Sequence, residues 1–226
     1  MQASLYQQWR RGLIGMFVGL IGLAAIPGTA SAVMYNLDYV FSPSTGTVSP
    51  LGSISLTDLG NAVRFEVINQ AGTGSKLDSL YFNFGRSGVN PNQLIFSNVS
   101  AAGNTYQTVL DPTGDSRMNS LKADGDGYYD GKFEYTGNNF LGHGQVLSFD
   151  LAIAGHNLDV SDFHLFSLPG GGTGTYIMAS HLQNISPGGS SLWVGTTAVV
   201  PLPAAVWLFG SGLASLIPMI RRQLMS

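Results

Sequence analysis

Leu147-Ser148-Phe149-Asp150-Leu151 is the stretch on which the fold turns, because three large apolar residues alternate there with two polar ones. Successive side chains leave a strand on opposite sides, so a period of two marks an extended segment with one face buried and one wet. The same period runs through Val63-Arg64-Phe65-Glu66-Val67 and through Leu80, Phe82 and Phe84 around Tyr81 and Asn83. It recurs near the start, where Tyr35, Leu37, Tyr39 and Phe41 alternate with Asn36, Asp38 and Val40. Shorter apolar runs follow the same habit at Ile54 to Leu56, Leu94 to Val99, Tyr128 to Tyr135, Phe163 to Leu165, Tyr176 to Leu182 and Leu192 to Val194. Turn-forming clusters separate them: Ser42 to Thr47, Gly72 to Gly74, Asp111 to Gly114 and Pro169 to Gly174. No convincing 3.6-residue apolar stripe interrupts this pattern. Nine or ten short strands joined by polar turns predict an all-β fold: a single antiparallel β-sandwich, jelly-roll-like.

Composition removes several functions before any motif is considered. Among 226 residues there is no Cys, so a disulfide scaffold, a thiol enzyme and a Cys-ligated zinc site are all excluded. The net charge of −3 offers no basic face for nucleic acid. Only 10% of the chain is charged, while 30 Gly favour turns over long helices.

The two ends carry a different pattern from the middle. Arg10 and Arg11 precede an uncharged apolar run from Gly12 to Ile26; Pro27-Gly28 breaks it, and Ala30-Ser31-Ala32 closes it with small residues. A basic start, a short apolar stretch and an A-x-A box are the three parts of a secretory signal peptide, with the cut expected after Ala32. At the other end, 23 residues from Ala198 to Ile220 carry no charge and stop at Arg221-Arg222. That length spans a bilayer, and arginine pairs at both apolar ends orient the middle outward. Removing both ends leaves a domain that holds all thirteen acidic residues and only six basic ones, a formal charge of −7.

Val200-Pro201-Leu202-Pro203-Ala204-Ala205, continuing as Val206-Trp207-Leu208-Phe209-Gly210-Ser211-Gly212-Leu213 and ending at Arg221-Arg222, resembles the PEP-CTERM sorting signal of Gram-negative bacteria. The resemblance implies recognition of Val200, Pro201, Leu202, Pro203 and Ala204 by an exosortase, with Ala204 to Ile220 as an anchor and Arg221 and Arg222 as its stop. It also implies an exopolysaccharide-producing, biofilm- or floc-forming source. Whether the anchor is removed stays open. Further short matches resemble the bodies of the same proteins, to which no catalytic residues are assigned. They are Leu51 to Asp58, Asp126-Gly127-Tyr128 with Phe133-Glu134-Tyr135, Leu147 to Leu151, Ser161-Asp162-Phe163, Ala179-Ser180-His181-Leu182-Gln183 and Ser191-Leu192-Trp193-Val194-Gly195.

Candidates for chemistry are few. Asp124, Asp126 and Asp130 lie close together in Asp124-Gly125-Asp126-Gly127-Tyr128-Tyr129-Asp130 and could supply oxygens to Ca²⁺. Read as an EF-hand loop from Asp124, however, the required Gly is Tyr129 and the closing Glu is Tyr135, while Asp-Gly pairs are ordinary hairpin residues. No zinc signature links His143, His156, His164 and His181, of which the last two interrupt strand-like runs and point outward or bond locally. Asp150, Asp162 and Glu134 are the carboxylates that a glycosidase reading would have to bring together. Tyr128, Tyr129 and Trp193, the one Trp between the two ends, are the aromatics able to stack on sugar rings, although aromatics at strand spacing usually build core.

The sequence therefore predicts a signal peptide over residues 1–32, an exported β-sandwich over 33–197 and a sorting signal over 198–226. Signal peptidase and an exosortase are the expected processing partners, and exopolysaccharide or matrix the expected surroundings in the envelope, at the cell surface or outside it. The expected role is structural or adhesive and non-catalytic, with no nucleic-acid partner and no required cofactor; calcium is the one cofactor candidate. The alternatives are a carbohydrate-binding module and, behind it, a polysaccharide hydrolase.

Overall fold

A computed structural model describes residues 31–112, 121–124, 127–170, 174–186, 189–196 and 199–201. Within them the chain forms β1 (Ala32–Asn36), β2 (Tyr39–Ser42), β3 (Gly46–Thr47), β4 (Gly52–Asp58), β5 (Ala62–Asn69), β6 (Lys76–Phe82), β7 (Ile95–Ser100) and β8 (Tyr106–Leu110). There follow β9 (Leu121–Lys122), β10 (Tyr128–Tyr129), β11 (Gly131–Tyr135), β12 (Leu141–Gly142), β13 (Val146–Ala152), β14 (Met178–Ile185), β15 (Ser190–Gly195) and β16 (Val199–Pro201). Two 3₁₀ turns, Pro91–Gln93 and Val160–Phe163, complete the described elements, none of which is an α-helix. No helix among the described residues is long and apolar enough to cross a membrane. The predicted signal peptide up to Ala30 and the predicted sorting helix beyond Pro201 lie outside them.

The strands make an antiparallel sandwich. The smaller sheet has the order β16-β1-β4-β5-β13-β7, and the larger runs β3-β2-β15-β14-β6-β11-β8 with β12 also on β6. Alternation drives the assembly. In the β5–β13 ladder Val63, Phe65 and Val67 stand opposite Leu151, Phe149 and Leu147, while Arg64 stands opposite Asp150 on the outer face. A slip of one residue would bury the charges, so the pattern enforces this register. The inner faces meet through stacked phenylalanines: Phe149 of the smaller sheet lies 5.0 Å from Phe65 and 5.5 Å from Phe133 of the larger sheet. Phe163, from the second 3₁₀ turn, sets its edge against Phe65 at 5.0 Å and 88°. All four rings are fully buried.

Two expectations change on folding. Tyr35 to Phe41 reads as one strand, yet the chain leaves the smaller sheet after Asn36 and enters the larger one at Tyr39. At this corner Leu37 exchanges backbone hydrogen bonds with Gly52 and Leu51 (2.9 Å each). The alternation shifts phase there: Tyr35, Leu37 and Val40 enter the main core, whereas Tyr39 and Phe41 face the opposite side of the larger sheet. Phe163 to Leu165 reads as a strand, but Phe163 is the last residue of a 3₁₀ turn. Asp159 Oδ1 accepts from Ser161 N–H (2.8 Å), and Asp162 Oδ2 accepts from Asp159 N–H (2.9 Å). These reciprocal caps satisfy the donors that open the turn and override the local β pattern. His164 accordingly ends that turn, exposed, and does not interrupt a strand.

Candidate functional site

The outer face of the larger sheet carries an unusual load of aromatic and polar side chains. A second apolar cluster forms on it from Phe41, Tyr81, Ala123, Tyr129, Tyr176 and Ala179, with Tyr39, Leu121 and Trp193 packed alongside. Tyr176 lies flat against Phe41 at 4.7 Å, which Gly195 permits: a Cβ at that position would meet the Tyr176 ring at 2.5 Å. The β9–β10 ribbon contributes to the cluster through Leu121 and Tyr129. This arrangement decides the aromatic candidates. Tyr129 is fully buried and has no face to offer a sugar, a correction to its reading as a stacking residue. Tyr128 is half-buried beneath Lys122, whose ammonium lies 4.6 Å from its ring centre. Trp193 is half-buried and reaches the surface.

Beside Trp193 the polar residues converge across three neighbouring strands. His181 of β14 is the direct cross-strand partner of Trp193 on β15, and the two rings stack at 4.5 Å and 22°. On the other flank, the β14–β6 register jumps from His181↔Ser79 to Leu182↔Leu77, leaving Asp78 as the extra residue of a bulge. A second bulge lies between Leu182↔Leu192 and Ile185↔Ser190, where Gln183 and Asn184 oppose the single residue Ser191. Bulges re-aim side chains, and these two turn Asp78 and Ser191 toward the same imidazole. His181 Nδ1 is 2.6 Å from Asp78 Oδ2, and its Nε2 is 2.6 Å from Ser191 Oγ. Gln183 Nε2 donates to Asp78 Oδ2 at 2.6 Å, and Ser79 Oγ donates to Oδ1 at 2.9 Å.

A depression of about 180 Å³ opens beyond Asp78, lined by Lys76, Glu134, Phe140 and Gln183 among others. Its charges are paired or capped: Lys76 lies 4.4 Å over the Phe140 ring, and Lys132 contacts Glu134 at 2.8 Å. The neighbouring Tyr81 hydroxyl is pushed up to about 12, first by burial and then by the carboxylates of Glu134 and Asp78.

The remaining sequence candidates lie elsewhere. Asp124 is exposed in the turn between β9 and β10 with φ of 45°, as a hairpin residue would be. Asp130 is buried, its Oδ2 accepting the Phe84 N–H at 2.9 Å, and Asp126 lies outside the described residues. Among the described residues no three His, Asp or Glu gather as a metal-holding group. Asp150 sits on the outer face of the smaller sheet, held by Arg64 at 2.7 and 3.0 Å and by Asn98 at 2.7 Å. Asp162 pairs with Arg86 at 2.8 Å, while Glu134 is on the larger sheet, so the three carboxylates of the glycosidase reading are not assembled together. Ala32 opens β1 opposite Thr57, and the backbone of Val200 and Pro201 belongs to β16. Ala30, Leu202, Pro203, Ala204, Arg221 and Arg222 lie outside the described residues.

Asp78, Gln183 and Ser191 were not singled out from sequence. The signal that could have found two of them is the spacing of two between His181 and Gln183 and between Ser191 and Trp193; Asp78 arrives from 103 residues away and has no local signal.

No family model and no curated protein matches this chain. A solved structure of biomass sensing modules from Rsgi-like proteins of Clostridium thermocellum, described as resembling the family 3 carbohydrate-binding module of the cellulosome, aligns at 13% identity. The alignment covers 68% of this chain and 92% of that one at a TM-score of 0.28.

Proposed function

We propose that this protein is an exported β-sandwich of a Gram-negative cell surface or extracellular matrix. In this reading signal peptidase releases it, an exosortase sorts it, and it serves there as a structural or adhesive component among exopolysaccharide. The observation that supports the reading is that the strands carrying the two expected processing points are neighbours. Among the described residues, β1 opens at Ala32, beside the expected signal cut, and β16 includes Pro201, the first proline of the sorting motif. They pair Val33 with Pro201 and Tyr35 with Val199, so the two expected processing points lie side by side in one sheet. Replacing Pro201, Leu202 and Pro203 together by Ala is expected to leave an unprocessed chain in the producing cell. A mutant of unchanged size and location would overturn the sorting part of the reading.

A second reading, binding of polysaccharide, is favoured by the Trp193 face. Aromatic residues there are mostly buried against one another, so they make no open stacking platform. What reaches solvent is Trp193 beside His181 and the hydrogen-bonding groups of Asp78, Gln183 and Ser191. Recognition would rest on hydroxyl contacts at this strip, with one ring as anchor. Retardation of the protein in gels containing the producer's own polysaccharide, diminished by Trp193→Ala, is the expected result.

A further inference from the structure

We infer that Ser191 is an activated nucleophile: Asp78, His181 and Ser191 form a carboxylate–imidazole–hydroxyl relay that transfers an acyl group from carboxylic esters. This inference depends on neither the sorting nor the adhesive reading, and it departs from the expectation of a non-catalytic chain.

The argument begins with the hydrogen-bonding capacity of each group. A carboxylate only accepts, so the 2.6 Å contact between Asp78 Oδ2 and His181 Nδ1 requires the ring proton on Nδ1. When the ring is neutral, Nε2 presents a lone pair, and the proton that fills the 2.6 Å contact there is that of the Ser191 hydroxyl. Nucleophile, base and orienting carboxylate stand in the sequence by which such relays are identified on unrelated folds. Their supports are in place as well. Gln183 and Ser79 hold the two oxygens of Asp78, Trp193 stacks on the imidazole, and Ser191 remains exposed where an acyl carbon can approach.

The chemistry balances without any further reagent than water. Ser191 Oγ bonds to the ester carbonyl carbon as its proton passes to His181 Nε2. The tetrahedral carbon then expels the alcohol oxygen, which takes that proton, and the acyl group stays on Ser191. Water attacks the acyl carbon, gives a proton to the same Nε2, and the returning proton restores the Ser191 hydroxyl as the carboxylic acid leaves. Ser191 and His181 are the catalytic residues; Asp78 is a positioning residue. The surroundings admit the substrate class. Ser191 is exposed on an open strand face, where a short acyl ester on a hydroxyl-rich carrier meets no steric barrier.

The test is labelling of the full-length protein with a fluorophosphonate probe, followed by peptide mapping. Ser191 is expected to react at least ~100-fold faster than the exposed Ser87 of the same molecule, the lower bound of what a positioned base supplies. His181→Gln and Asp78→Asn are each expected to lower that rate by about two orders of magnitude. Asp78→Glu should restore part of it, and Ser191→Ala should abolish turnover of 4-nitrophenyl acetate. Equal labelling of Ser191 and Ser87 would overturn the inference, as would an unchanged Ser191 rate in a folded His181→Gln protein. Should a variant fail to fold, the ratio within the unmutated protein decides alone.

Discussion

Arg64 and Asp150 show what one residue pair does on an otherwise plain sheet face. They are direct partners in the β5–β13 ladder, and the guanidinium meets the carboxylate through two nitrogens at 2.7 and 3.0 Å. Asp150 is nearly inaccessible, with 4% of its side chain exposed, whereas Arg64 keeps 42%. The Arg64 hydrogen bond is the main cause that holds the Asp150 carboxyl below its ordinary range, with Asn98 adding to it and burial opposing it. A carboxyl depressed in the folded state stabilises the protein at pH values above its unfolded pKa of about 3.9. That contribution is lost as pH falls through the lower folded value. Asp150→Asn is therefore expected to lower the melting temperature at neutral pH, and the gap to the unmutated protein should close on acidification. Thermal melts across pH 2 to 7, chosen to bracket the carboxylate range, check both signs. Asn69 is the buried polar residue whose role is purely structural. Its amide donates to the Leu141 carbonyl at 2.8 Å and accepts from Ala71 N–H and Ser75 Oγ at 3.1 Å each. Replacing it by Ala strands those buried groups, and a loss of about 1–3 kcal/mol in denaturant unfolding is expected.

At the scale of elements, the sandwich is held by ring layers between β13 and β11 and by a separate aromatic patch on the far side of the larger sheet. Phe149 touches rings from both sheets, so Phe149→Ala opens a cavity that neither sheet can close alone. The expected cost is about 3–5 kcal/mol, read as a shift of the urea midpoint at constant slope. The outer patch depends instead on a missing side chain. Gly195→Ala places a methyl 2.5 Å from the Tyr176 ring, which must then rise off the sheet. A destabilisation of about 1–3 kcal/mol is expected, largely relieved by pairing the change with Tyr176→Ala, and a double-mutant cycle measures the coupling. Bulges are the other element-scale device. Without the two irregularities flanking His181 in β14, the regular ladder would not set Asp78 and Ser191 on either side of one imidazole. Strand alternation made β5 and β13 legible in the sequence, with the face that each buries. It could not reveal these bulges, because an extra residue in one strand is defined only by the strand it faces.

Across the whole molecule, the chain covers the β1 edge of the smaller sheet with the last of its described strands, β16. A protein ending at residue 197, the boundary suggested by composition, would leave the β1 edge unpaired. It is expected to melt earlier than one ending at 201 and to self-associate, because a bare strand edge is a template for another chain. Sedimentation and thermal unfolding of the two forms check this. The sequence by itself determined the class of fold, since a two-residue apolar period admits only strands, and an excess of glycine and polar turns admits only short ones. It also carried the contrast between apolar ends and an acidic middle. Tertiary structure alone decided that Tyr39 and Phe41 face away from Tyr35, that Tyr129 is sealed while Trp193 is not, and that Asp78 meets His181. The reason is physical: periodicity reports which face of a strand is apolar, but which strands become neighbours, and where their ladders slip, is settled only when distant segments compete for the same core.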